Sequence, residues 1–556
     1  MTNNLGKKVI YQIYPKSFND ANGDGFGDFR GIIDKLDYLE KLGIDMIWLN
    51  PFYPSPQHDN GYDISDYTAI DPRFGSMDDF TELAQKAKAR GIDIMLDMPL
   101  NHSSTDHEWF QKALAGDEEY QEYYYLRPLK ADGSLPTTWE SKFGGPAWAQ
   151  FGDTDLYYLH LYDVTQADLN WHNPKVREAL FDILRFWIDK GVGGFRFDVM
   201  NVIGKSEILE DSIDGPGSTQ EKRLYTDTEN SHLWIQEMAT STFGDIEGFV
   251  TVGEMSSTTI EDGVRYTNPD EEKLSMIFSF HHLKVDYLDG EKWSKVDFDF
   301  QSLKDILNDW QKGMSDGNGW NALFWNNHDQ PRANSRFGDT VNYPYETATM
   351  LAQTIHFMRG TPYVFEGEEI GMTNPDFTDI NDYNDIETWN NYQILLDKGL
   401  SEAETMEIIQ FKSRDTSRTP MQWDDSANAG FTTGTPWLKV ADNYKEINVA
   451  KELESGKIFP YYQQLIQLRH ELPIIQDGAY HELLTDHPEV LAYYRTLGDQ
   501  VLYVFSHFYP GTTKVTLLDS VDLDREYVKL LGNGPVDSFT REFDLSPYET
   551  VAFITK

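Results

Sequence analysis

Eight short apolar runs, separated by longer stretches of helical period, leave this chain few possible architectures. The runs lie at 9–15, 46–51, 94–100, 194–199, 251–255, 274–280, 321–326 and 361–366. Between them, 31–42 and 77–90 carry helical spacing, and within 173–190 Val176, Leu180, Ile183, Leu184 and Trp187 share one face. Strand-length apolar runs alternating with amphipathic helices predict parallel strands joined by helical crossovers. Eight such units predict an α/β fold, a (β/α)8 TIM barrel. The 556 residues exceed one compact core. Residues 103–171, rich in Tyr, Trp, Gly and Pro, are too long for a loop and read as an inserted domain B after strand three. A further insertion, about 373–449, follows strand eight. From 474 to 556 the period changes to two, which predicts a C-terminal antiparallel β domain C of sandwich type. The barrel, domain A, then takes 1–102 and 172–473.

Three of the runs end in an acid: Asp198 in Gly194-Phe195-Arg196-Phe197-Asp198, Glu254 in Thr251-Val252-Gly253-Glu254, and Asp329 just past 321–326. A lone acid at a strand exit is usually a cap on the next helix. Three of them, with Arg196 and His328 beside them, point instead to an active site at the C-terminal face of a barrel. Two carboxylates facing one bond are the minimum for glycoside hydrolysis. Asp198 suits the nucleophile, because Arg196 two residues earlier shares its face and favours its ionised form. Glu254 suits the acid/base, in a less polar pocket that keeps it protonated. Asp329 would stabilise positive charge, and His102 and His328 would donate hydrogen bonds to the sugar.

The composition removes whole classes of partner. Ninety-two acids against 47 bases give a formal net charge of −45, which disfavours nucleic acid and anionic membrane surfaces. There are no cysteines, so neither disulfides nor thiol chemistry enter. No stretch of 18 apolar residues and no signal-peptide core is present, so a cytoplasmic protein is expected.

The segments Asp97-Met98-Pro99-Leu100-Asn101-His102, Gly194-Phe195-Arg196-Phe197-Asp198, Val252-Gly253-Glu254 and Asn327-His328-Asp329 resemble, in order, the four motifs of the α-amylase family of glycoside hydrolases. The resemblance covers nearly the whole chain and implies a retaining mechanism with Asp198 as nucleophile, Glu254 as acid/base and Asp329 as stabiliser. Pro99 lacks a backbone donor, so strand three is expected to lose one ladder bond there. Val199, Asp59-Asn60-Gly61-Tyr62-Asp63 and Arg418-Thr419-Pro420-Met421-Gln422-Trp423 resemble the oligo-1,6-glucosidase group. That likeness implies that Asp59 and Arg418 grip the non-reducing glucose and make the enzyme exo-acting. The resemblance as a whole also brings Tyr62, Gln166 and Arg196 into the substrate-binding set.

The segments 139–145, 163–171 and above all Phe278-Ser279-Phe280-His281-His282-Leu283-Lys284-Val285-Asp286-Tyr287 are similar to the phosphotrehalase branch of that group. Its members cleave a phosphorylated disaccharide, trehalose 6-phosphate, to glucose and glucose 6-phosphate. The two halves of trehalose are alike, so only the phosphate distinguishes them. In an acidic chain a dianion needs a local positive patch. The loop after strand six offers His281, His282, Lys284 and Lys292. The rival readings are a plain oligo-1,6-glucosidase acting on isomaltose, a trehalose synthase, and a non-catalytic amylase-like scaffold.

One motif is independent of these. Asp20, Asn22, Asp24 and Asp28 alternate as oxygen ligands do in a calcium loop, with Gly25 at the sharp turn and a carbonyl from Phe26. The twelfth-position Glu of an EF-hand is replaced by Gly31. A structural Ca2+ is expected there, with no organic cofactor.

Overall fold

The computed structural model describes residues 4–556; residues 1–3 of the expected first barrel segment lie outside it. Eight parallel strands form one sheet: β1 (Ile10–Ile13), β2 (Met46–Leu49), β3 (Asp93–Pro99), β4 (Gly194–Asp198), β5 (Val250–Met255), β6 (Met276–Ser279), β7 (Ala322–Leu323) and β8 (Thr361–Phe365). Each pairs with its sequence neighbour, and β8 returns to β1 through Ile10–Tyr363. Among the described residues a single bridge, from Ile277 on β6 to Asn321 just before β7, closes the barrel. Strand residues are buried on both faces, as a parallel sheet under a jacket of helices requires.

Strand seven departs from expectation. The run 321–326 pairs over Ala322–Leu323 alone. Phe324 packs edge-on against Phe278 and Phe280, and Trp325 Nε1 donates to the Leu351 carbonyl at 2.8 Å. These side-chain demands pull the backbone off the ladder, so His328 and Asp329 stand on a loop. The helical stretch 31–42 is likewise two helices, Phe29–Asp34 and Leu36–Leu42, hinged at Lys35. Pro99 ends β3 in register with Asp198, where its missing donor costs the ladder least.

Between β3 and β4 the chain leaves the barrel. His102–Ser104 pairs antiparallel with Gln166–Asp168 at the root of the excursion. Beyond that root, a three-stranded sheet carries Leu126–Pro128, Leu156–Leu159 and Trp148–Gln150. After β8, helices Ile386–Asp397 and Glu402–Lys412 lead to the turn Arg414–Thr416. The C-terminal region has a five-stranded antiparallel sheet and a two-stranded one. Val490, Phe505, Val515, Leu545 and Phe553 fill the space between them. Among the described residues, no helix is long and apolar enough to cross a membrane.

Candidate active site

The C-terminal ends of the barrel strands open into a cavity of about 260 Å³. Arg196 organises its floor. It sits mid-strand on β4, in register with Asp97 on β3 and Val252 on β5. With its side chain fully buried, it donates to Asp97 at 2.8 Å, to Asp198 at 2.6 Å, and to Glu254. Asp97 also accepts from Tyr62 at 2.8 Å and from Trp48 at 3.1 Å. Burial pushes the Asp97 carboxyl up and Arg196 pulls it back. One guanidinium thus ties three consecutive strands together and brings Asp198 and Glu254 to one side of the cavity. The less polar surroundings expected for Glu254 are not found: the fully buried Arg196 guanidinium lies against its carboxyl. A sugar oxygen has to compete with that contact for the carboxyl.

Asp329 is the third acid. Arg418 donates to it at 2.8 Å, and Arg414 approaches at 3.4 Å. Burial would raise its pKa, but the surrounding cations outweigh burial and hold it well below the carboxylate range. His328 lies behind it, fully buried and stacked on Tyr62 with rings 5.2 Å apart and 4° from parallel. Gln12 and Asn50 both place amide nitrogens on His328 Nδ1, at 3.0 and 3.2 Å. Nδ1 is therefore the acceptor and Nε2 carries the proton. Burial keeps the ring neutral, so the depression of Asp329 rests on the arginines. The ring does not line the cavity, contrary to its expected direct role on the sugar; Nε2 lies 3.3 Å from Asp329.

Asp59, Tyr62, His102 and Gln166 all line the cavity. Gln166 donates to Asp59 at 3.1 Å and lies 3.2 Å from His102 Nε2. The expected Asp59–Arg418 pairing is not what the structure shows. Arg414, one helical turn earlier, donates to Asp59 at 3.0 Å and to Asp385 at 2.5 Å, while Arg418 holds Asp329 and the His328 carbonyl. Burial pushes Asp59 up, to about 7, against the pull of both arginines. The sequence reading missed Arg414, although the spacing Arg414-Asp415-Thr416-Ser417-Arg418 offered two candidates on one turn.

The four expected phosphate ligands separate. His281 donates to the Thr258 carbonyl at 2.8 Å and stacks on Trp310; His282 is buried, 2.8 Å from the Phe324 carbonyl. Neither lines the cavity. Lys284 does, and Asp286 explains why: Arg336 and Lys412 grip its carboxylate at 2.5 and 2.9 Å, which locks the loop after β6 with Lys284 and Tyr287 inward. Lys292 also lines the cavity, but Glu387 takes its ammonium at 2.7 Å. A cation the sequence reading missed, Lys142, reaches in from the 139–145 segment beside Phe143. Two glycines make that tip possible: Gly144 and Gly145 have φ of +96° and +79°. Lys142 lies over the Tyr225 ring at 5.0 Å, and neither it nor Lys284 has an acid within ion-pair distance among the described residues. Burial first, then Lys222 and Lys284, lowers Lys142 to about 7. Lys284 is lowered by burial and by Lys222.

The loop expected to hold calcium is wound by its own amides. Asp20 accepts from Gly23 and Gly25 N–H at 2.7 Å each, Asn22 from Asp24 N–H and Asp24 from Phe26 N–H at 2.9 Å, and Asp28 from Gly31 N–H at 2.7 Å. Gly25, at φ +97°, has no room for a side chain, because a Cβ would fall 2.0 Å from the Thr435 carbonyl. Among the described residues no three acidic, histidine or cysteine side chains converge. The loop's donors, which include an amide and a carbonyl, are all oxygens, the chemistry a hard cation takes.

Two cavity-lining carboxylates on one guanidinium and a third acid held ionised suit acid-assisted cleavage of a sugar acetal. Comparison with known proteins agrees. The model of the α-amylase catalytic domain matches residues 12–478. The trehalose-6-phosphate hydrolase of Bacillus subtilis is 49% identical over 98% of this chain and 97% of its own. The oligo-1,6-glucosidase of Parageobacillus thermoglucosidasius is 46% identical over 97% of each. The crystal structure of the Bacillus licheniformis trehalose-6-phosphate hydrolase superposes with a TM-score of 0.95, at 49% identity, covering 99% of this chain and 100% of that one. The chain belongs to the α-amylase family and is a glycoside hydrolase of that family.

Proposed function

We propose that the chain is a retaining, exo-acting α-glucosidase that hydrolyses trehalose 6-phosphate to glucose and glucose 6-phosphate. The observation that carries this reading is the pair Lys142 and Lys284, set into the cavity without acid partners among the described residues, in a chain of net charge −45. Keeping two half-buried ammonium groups side by side costs stability unless an anion joins them. A phosphate there, helped by Lys222 nearby, forms charge-assisted hydrogen bonds of roughly 1.5–3 kcal/mol each.

The plain glucose enters the end closed by Asp59 and Arg414, which makes the enzyme exo-acting. Asp198 attacks its anomeric carbon as Glu254 protonates the departing oxygen of the phosphorylated half, leaving a covalent glucosyl-enzyme. Glu254 then takes a proton from water, which displaces Asp198 and restores the configuration. Asp329, held ionised by its arginines, stabilises the positive charge that develops between the steps. A substrate phosphorylated during uptake is met in the cytoplasm, where this reading places the enzyme.

Glucose release from equal concentrations of trehalose 6-phosphate, trehalose and isomaltose tests the reading. Strong preference for the first is expected. The alternative, an oligo-1,6-glucosidase, draws support from the Lys292–Glu387 pair, which withdraws one expected phosphate cation. Preference for isomaltose would establish it and sink the phosphotrehalase reading.

Calcium remains part of the proposal. Asp20, Asn22, Asp24, Asp28 and the Phe26 carbonyl would hold it, and its role there is structural. Adding calcium to chelator-treated protein should raise Tm; at 100 times Kd the stabilisation is about 2.7 kcal/mol. An unchanged Tm would remove the ion from the account.

A further inference from the structure

The loop that follows Glu254 is clasped from outside the cavity. Asn201 stands three residues past Asp198 and is fully buried. Its side-chain amide lies along the backbone of Ser256: the Ser256 N–H donates to Asn201 Oδ1 at 3.0 Å, and Asn201 Nδ2 donates to the Ser256 carbonyl at 2.9 Å. Two opposed hydrogen bonds to one residue fix its rotation as well as its distance, which a single bond does not. The second proton of Nδ2 goes to Asp227 Oδ1 at 2.9 Å, and the Tyr266 hydroxyl donates to that same oxygen at 3.0 Å. The Asn201 carbonyl accepts from the Asp227 N–H at 3.0 Å and from the Ser231 hydroxyl at 3.1 Å. Two residues further along the clasped loop, the Thr258 carbonyl accepts from His281.

The clasp holds an unfavourable backbone. Ser257, which lines the cavity, has φ +55°, and Asp227 has φ +54°. Residues other than glycine stay in that region only where their surroundings impose it. Asn201 and Asp227 themselves do not line the cavity. Their bonds end on the backbone two residues past Glu254.

We propose that Asn201, supported by Asp227, is a positioning residue for the acid/base: it ties the loop after the Asp198 strand to the loop after the Glu254 strand and so sets Glu254 against the leaving-group oxygen. This rests on the reading of Glu254 as acid/base given above.

The test is kcat/KM along a series of aryl α-glucosides, from 4-nitrophenyl, whose leaving group needs little protonation, to phenyl, whose leaving group needs much. Glu254→Gln is measured in parallel. Asn201→Ala should lose about 10²-fold on phenyl α-glucoside and less than about threefold on the 4-nitrophenyl compound, the size of loss a misplaced general acid produces. Asn201→Asp keeps the acceptor for Ser256 but loses the donor and meets Asp227; it should show the same steepening at smaller size. Tyr266→Phe loosens Asp227 alone, so it should steepen the series least, and it carries the test if the Asn201 variants do not fold. Equal losses on every glucoside, with Glu254→Gln still steepening the series, would overturn the proposal and leave Asn201 a structural residue. A flat series for Glu254→Gln itself would overturn the assignment of Glu254 and the clasp's role with it.

Discussion

At the inner end of the cavity, each guanidinium is matched to carboxylates: Arg414 to Asp59 and Asp385, Arg418 to Asp329. At the outer end, Lys142 and Lys284 face the cavity with no acid in ion-pair distance among the described residues; burial lowers both, with Lys222 and Lys284 adding to it for Lys142 and Lys222 for Lys284. The two ends are built from the same charges and behave differently. A balanced network presents fixed donors and acceptors, which suits the hydroxyls of a neutral sugar. An unbalanced one stores repulsion that only an anion relieves. The cavity therefore has a polarity that a symmetrical disaccharide lacks, and a phosphate on one half would orient it.

Breaking the inner end should have the largest effect. Arg414→Ala leaves Asp59 buried without its ion partner and Asp385 with the more distant Arg418, at 3.7 Å, a change that costs about 3–5 kcal/mol of stability. A Tm fall of many degrees is expected, and the residual enzyme should lose kcat/KM alike on trehalose 6-phosphate and on 4-nitrophenyl α-glucoside. Loss confined to the phosphorylated substrate would mean that Arg414 belongs functionally to the outer end.

Removing the outer cations should separate the substrates instead. Lys142→Ala and Lys284→Ala are each expected to raise KM for trehalose 6-phosphate by about 10- to 100-fold, the equivalent of one charge-assisted bond. KM for the neutral glucoside should barely move, and Tm should hold or rise as the lysines' repulsion is relieved. Lys292→Ala should do less, because Glu387 already neutralises Lys292. Equal losses on both substrates would dissolve the contrast between the ends.

The smallest effect is in the pH dependence. A lysine whose pKa is lowered is charged below that pKa and loses its charge as pH rises through it. Lys142, lowered to about 7, should bind phosphate well below that value and less well above it. A sugar phosphate becomes a dianion above about pH 6. KM for trehalose 6-phosphate should therefore be lowest between about 6 and 7 and rise on the alkaline side, while KM for the neutral glucoside does not follow. Parallel profiles for both substrates would show that Lys142 does not read the phosphate.

Most of the barrel and its acids could be read along the chain. The alternation of apolar runs with helical faces is a local signal, and a carboxylate at the end of a buried run is conspicuous because burial penalises it. Strand seven was overestimated, because the rings of Phe324 and Trp325 look like strand residues until their packing partners are known. Ion pairing was the harder problem. Whether Lys292 is free depends on Glu387, 95 residues away. Whether His281 and His282 face the cavity depends on carbonyls of Thr258 and Phe324. Asp59 finds Arg414 across 355 residues, and local spacing favours neither Arg414 nor Arg418.

The sequence by itself determined the barrel rhythm, the acids at the ends of strands four and five and just past strand seven, and the net negative charge, since each is a property of neighbours along the chain or of the whole composition. Which cations are spent and which stand open at the cavity was decided only by the tertiary structure. The reason is physical: a charge is neutralised by whatever lies within a few ångströms, and the fold sets that distance independently of separation in sequence.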